Sequence, residues 1–165
     1  ARDTPVRETA APRPDRPAAG WTGDCLQELD GWQKAARECF YDDGGAVRRY
    51  RFEVRRVKRG GVGPVGRSSV YGPWLVGTPG SFVEAKIEDG EFRWRAGGRG
   101  DWQSEQLELP KDAPSVFVRV SAAAETATLE IAADARMSDA QRVRVGASGG
   151  FGVKKDTQIR EFSRR

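Results

Sequence analysis

The sequence predicts a mainly β protein: an antiparallel β-sandwich, jelly-roll-like, entered through a short N-terminal helix and preceded by an extended N-terminal arm. Three observations predict it. Short runs alternate apolar and charged residues, they recur at roughly ten-residue spacing between Gly, Pro and Asp-Gly turns, and the first twenty residues hold too little apolar surface for a core. The expected division is an arm over residues 1–22 and a single domain over residues 23–165. About 145 residues suit one hydrophobic core.

The arm, ARDTPVRETAAPRPDRPAAG, sets Pro5, Pro12, Pro14 and Pro17 among Arg, Asp, Glu, Thr and Ala. Val6 is its one sizeable aliphatic residue. Such a stretch buries too little apolar surface to offset its ordering entropy, so on its own it is expected to be a mobile, partly polyproline arm. Two readings follow: an inert spacer, or an element preorganised by proline for a partner's groove. In the second reading Pro5, Val6, Arg7, Pro12, Arg13, Pro14, Arg16 and Pro17 form the contact strip.

Residues 24–40 carry the helical pattern. Cys25, Leu29, Trp32, Ala36, Cys39 and Phe40 recur at three- and four-residue steps, with Asp24 as N-cap. A continuous helix would hold Cys25 and Cys39 about 21 Å apart, whereas a disulfide needs Cα atoms within roughly 7 Å. Asp30-Gly31 supplies the break, so a turn or short helix and then a helix near 32–39 are expected, clipped by a Cys25–Cys39 bridge, the alternative being two buried free thiols. A bridge in turn points to an oxidising, extracellular compartment. The chain starts at Ala1 without Met, which fits a secreted product whose signal has been removed, and a piece cut from a longer chain equally well.

The remainder reads as strands. Arg49-Tyr50-Arg51-Phe52-Glu53-Val54-Arg55 alternates cleanly, and further strands are expected over 70–76, 81–88, 91–96, 102–109, 115–121, 126–132, 141–147 and 157–163. Asp89-Gly90 between two alternating runs marks a hairpin.

Function is less legible. The chain has no histidine, which removes Ser-His-Asp and Cys-His catalysis and most zinc sites. No catalytic residue, metal or cofactor is assigned, and the acids Asp42, Asp43, Glu84, Glu88, Asp89 and Asp101 read as ordinary surface groups. Gly61-Val62-Gly63-Pro64-Val65-Gly66 matches the dinucleotide-loop spacing, yet nothing after it opens a helix. Arg99-Gly100-Asp101 sits where a hairpin tip is expected. No apolar run is long enough to span a bilayer as a helix, so membrane insertion is not expected.

Two surface features remain. The net charge of +4 comes from 22 arginines and six lysines against 24 acids. The densest basic stretch is residues 48–59, where Arg49, Arg51 and Arg55 share a strand face that can pair with carboxylates, phosphates or sulfates. Nucleic acid is disfavoured there, because alternation turns Tyr50 and Phe52 toward the core. Trp74, flanked by Pro73, and Trp102, after the Arg99–Asp101 turn, are the expected exposed aromatics for stacking on sugar rings.

The Pro/Arg arm ending at Pro17-Ala18-Ala19-Gly20, the Cys25/Cys39 pair and one β domain together resemble the small adaptor subunits of umbrella toxin particles, secreted antibacterial assemblies of actinobacteria. Independently of that resemblance, the arm and the folded domain point to a non-catalytic secreted adaptor, residues 1–20 binding one partner and the domain another; the resemblance implies more. Its arm would enter a cleft in a lectin-like partner, and its β domain would attach to a toxin-bearing subunit. The alternative expectation is a secreted module that binds carbohydrate or cell envelope, with a glycan or anionic polymer as partner.

Overall fold

Asp30 and Gly31 take φ angles of +52° and +87°, the conformation of a two-residue hairpin turn. In the computed structural model, which describes Trp21 and residues 24–41, 49–59, 68–110, 113–123, 125–146 and 150–164, the flanking segments are strands. They are β1 (Leu26–Leu29) and β2 (Trp32–Ala35), paired from Leu29↔Trp32 to Leu26↔Ala35. The expected helix near 32–39 is therefore replaced by a hairpin. Helical spacing lost because the Asp-Gly turn is a stronger local signal, and because β2 gains a second partner from the far end of the chain.

Following the hairpin are β3 (Cys39–Tyr41), β4 (Arg49–Arg59), β5 (Ser68–Thr78), β6 (Ser81–Glu88) and β7 (Glu91–Ala96). Then come β8 (Gln103–Gln106), β9 (Ser115–Ala122), β10 (Ala127–Ala132), β11 (Gln141–Val145), β12 (Phe151–Val153) and β13 (Gln158–Arg164). All pairings are antiparallel. One layer runs β1-β2-β13-β4-β9-β10-β11, and the other runs β3-β12-β5-β6-β7-β8. The long β4 belongs to both: residues 49–55 pair with β9, and residues 56–59 pair with β5. The chain is a β-sandwich.

Between the layers lies an aromatic core. Trp74, Tyr50, Phe52, Phe92 and Phe151 are all fully buried. Phe52 meets Phe151 at 4.7 Å and Trp74 at 5.7 Å between ring centroids, within the range in which aromatic pairs add to area burial. Trp21, assigned from sequence to the arm, instead packs into this core against Tyr41 and Phe151. Cys25 and Cys39 are bridged with Cα atoms 5.8 Å apart, tying the base of the first hairpin to β3.

Two glycines allow a close approach. The Gly77 amide donates to the Gly150 carbonyl at 3.1 Å, and a Cβ on Gly150 would stand 2.1 Å from the Gly77 oxygen. No side chain fits there.

Candidate functional site

The Asp89-Gly90 turn fixes the register of β6 and β7, and with it a charged face. Opposite each other stand Glu84 and Arg95, then Lys86 and Arg93, then Glu88 and Glu91. Val83, Ala85, Ile87 and Phe92 turn inward to the core. Period-two alternation thus converts one hairpin into an apolar inner side and a polar outer side. Glu84 is buried, and the Arg95 Nε donates to its Oε1 at 3.0 Å. Glu88 Oε1 accepts from Lys86 and from Arg93, each at 3.0 Å.

Over this face lies Trp102. Lys86 Nζ and the Arg95 guanidinium carbon each stand 4.4 Å from its ring centroid. Both cations rise from the same sheet face, so the half-buried indole is bedded on a double cation–π contact. The Arg99-Gly100-Asp101 turn that precedes it is surface structure, with Arg99 and Asp101 exposed.

Facing Trp102 across a cleft of about 490 Å³ is the turn between β12 and β13, carrying Lys154, Lys155 and Asp156. That turn is firmly held. The Pro73 carbonyl accepts from the Lys154 amide at 3.1 Å and from the buried Thr157 hydroxyl at 2.9 Å, and the Asp156 amide donates to Ala35. Pro73 itself sits in the β5 bulge after Gly72, where the register shifts between Tyr71 and Trp74. Both cleft walls are therefore fixed by sheet and backbone hydrogen bonds. A smaller recess of about 250 Å³, lined by Ile87, Leu109 and Pro110, opens beside the Asp89-Gly90 turn.

Of the expected aromatics, Trp102 is at the surface and Trp74 is not. Trp74 is completely buried between Phe52 and Phe92, and its Nε1 has no hydrogen-bond partner among the described residues. The bulge at Gly72-Pro73 changes which side Trp74 faces, and adjacency to Pro73 does not reveal this. Tyr71 is also buried, with its hydroxyl donating to the Ala113 carbonyl at 2.6 Å.

Arg49, Arg51 and Arg55 do share the outward side of β4, on the other layer, opposite Ser121, Arg119 and Ser115 of β9. Arg51 donates to the Ala135 carbonyl and lies over Phe117. Arg55 binds Gln158 Oε1 at 2.9 Å and lies 5.5 Å from the Trp32 centroid. On the same side Arg119 donates to Glu130 at 2.8 Å, which holds the Glu130 carboxyl below its ordinary pKa and raises that of Arg119. The arm residues 1–20, the Gly61–Gly66 loop and Asp42-Asp43 lie outside the described residues. Among the described residues no acid or thiol cluster suits a metal, and no helix is long and apolar enough to cross a membrane.

Sequence reasoning missed Lys86, Arg95, Lys154 and Asp156. The first two were accessible, because a two-residue Asp-Gly turn dictates which residues stand opposite. Lys154 and Asp156 were not, since a distant turn places them.

No family model matches the chain, and no curated protein sequence does. Among solved structures, the chain is similar to the carbohydrate-binding module CBM66 from Bacillus subtilis, with TM-score 0.48 and 9% identity over 89% of this chain and 96% of that one. It is also similar to a functionally unknown protein from Saccharomyces cerevisiae, with TM-score 0.44 and 13% identity over 84% of this chain and 77% of that one.

Proposed function

We propose that the domain is a non-catalytic extracellular module that binds carbohydrate in the cleft beside Trp102. One observation carries this reading: a half-exposed indole, bedded on Lys86 and Arg95, borders a rigid cleft rich in paired charges. The apolar face of a sugar ring stacks on the indole, and its hydroxyls need donors and acceptors close together. Arg95 beside Glu84 supplies both kinds, and Lys154 and Asp156, held at 4.0 Å by Glu38 and at 3.8 Å by Lys34, line the other wall. Walls fixed before the ligand arrives reduce the entropy lost on binding. The Cys25–Cys39 bridge suits an oxidising compartment.

The reading is tested on a glycan array with the wild-type domain and Trp102→Ala, both checked for an unchanged melting temperature. Wild-type binding to a defined glycan, lost in Trp102→Ala and weakened in Lys154→Ala, is the expected result. A wild-type domain that binds no glycan, or a Trp102→Ala variant that binds as well, overturns it.

A further inference from the structure

The outward side of the β4-β9-β10-β11 layer carries a second feature, legible only once the register is known. Arg49 of β4 stands opposite Ser121, which stands opposite Thr128, which stands opposite Arg144 of β11. This row crosses the strands with a guanidinium at each end and two hydroxyls between. The ends are about 14 Å apart, at about 4.8 Å per strand. A neighbouring row runs Arg51, Arg119, Glu130, Arg142, displaced by two residues or about 7 Å along the strands. Together the rows hold five arginines and one carboxylate.

The charge is not internally neutralised. Glu130 binds Arg119 at 2.8 Å and Arg142 at 3.5 Å, which leaves it serving two cations at once. Arg49 and Arg144 are exposed and make no ion pair among the described residues. The net charge of the whole chain is +4, so this side concentrates positive charge beyond the molecule's average.

We infer that this side binds a linear glycopolymer carrying phosphate or sulfate groups, laid across the strands along the Arg49–Arg144 row. Guanidinium groups take such oxyanions in a forked geometry, and Ser121 and Thr128 offer hydroxyls to the sugar or polyol units between charges. Nucleic acid fits less well. The aromatics on this side, Phe117 and Trp32, lie under Arg51, Arg55 and Arg160, so no ring is offered to an unpaired base.

The surface is separate from the Trp102 cleft, on the opposite layer, and does not depend on the carbohydrate reading of that cleft. The test measures binding of heparin (sulfate) and polyglycerol phosphate (phosphate), beside a single-stranded oligonucleotide, over a salt series. Wild-type domain, an Arg49→Ala/Arg142→Ala/Arg144→Ala triple variant and Arg37→Ala, an exposed cation outside both surfaces, are compared. The expected result is salt-sensitive binding of at least one glycopolymer. The triple variant weakens it by about tenfold or more with a shallower salt slope, and Arg37→Ala leaves it unchanged. All three arginines are exposed, and an unchanged melting temperature confirms the fold. Three outcomes overturn the inference: neither glycopolymer binds, the triple variant binds as wild type does, or the oligonucleotide outcompetes both glycopolymers.

Discussion

Arg160 grips the buried carboxylate of Glu53 from outside: Nε meets Oε1 at 2.6 Å and Nη2 meets Oε2 at 3.2 Å. The same guanidinium lies 4.1 Å from the Trp32 centroid, and Ser115 donates its hydroxyl to Glu53 from β9. Glu53 is 3% exposed, so it depends on these partners for the hydration it lacks. Arg160→Ala strands that charge with the Ser115 hydroxyl alone and should lower unfolding free energy by about 2–4 kcal/mol. Urea titration gives the value. A loss no greater than that of the exposed Arg142→Ala would show that the pair matters little.

The disulfide closes a short loop, with a sequence separation of 14. Chain-entropy reasoning gives about 3 kcal/mol for a loop of this size. The Cys25→Ser/Cys39→Ser variant should melt at a correspondingly lower temperature, and adding reductant to the wild type should reproduce its curve.

Acid should weaken the layer carrying Glu130. Its carboxyl titrates below the ordinary value, chiefly through the hydrogen bond from Arg119, with Arg142 adding to it. A depressed carboxyl stabilises the fold fully above its unfolded pKa, and that contribution disappears as pH falls through the folded value. Both partners are partly exposed, which limits the effect to about 1 kcal/mol. Stability curves of wild type and Glu130→Gln should therefore differ at neutral pH and converge in acid. Curves that stay parallel would assign the difference to something other than ionisation.

Gly150→Ala is expected to be among the most damaging single methyl additions. Its φ of +104° is strained for any other residue, and the added carbon would meet the Gly77 carbonyl. A loss of about 2 kcal/mol or more is expected from thermal unfolding. Gly80→Ala, where nothing lies within 4 Å, serves as the tolerant control.

Strands with clean alternation were readable directly. Tyr50, Phe52 and Val54 are buried and Arg49, Arg51 and Arg55 face out, as period two requires. Residues 24–40 misled because Cys25, Leu29, Trp32 and Ala36 happen to fit helical spacing. In the fold, Trp32 faces outward under Arg55 and Arg160, a location that only β13 and β4 create. The basic side was glimpsed as one strand. Its extension through Arg119, Arg142 and Arg144 depends on pairings between segments far apart in sequence, and local pattern carries no record of those. The cleft had the same history: Trp102 was visible, whereas the wall opposite it comes from a turn some fifty residues later.

Because β4 lends its first half to one sheet and its second half to the other, neither sheet keeps a full complement of neighbours once that strand leaves. The two halves of the sandwich are thus bound to melt in a single event. Amide protons of β5 and β9, although they lie in different sheets, should exchange with solvent at the same free-energy cost.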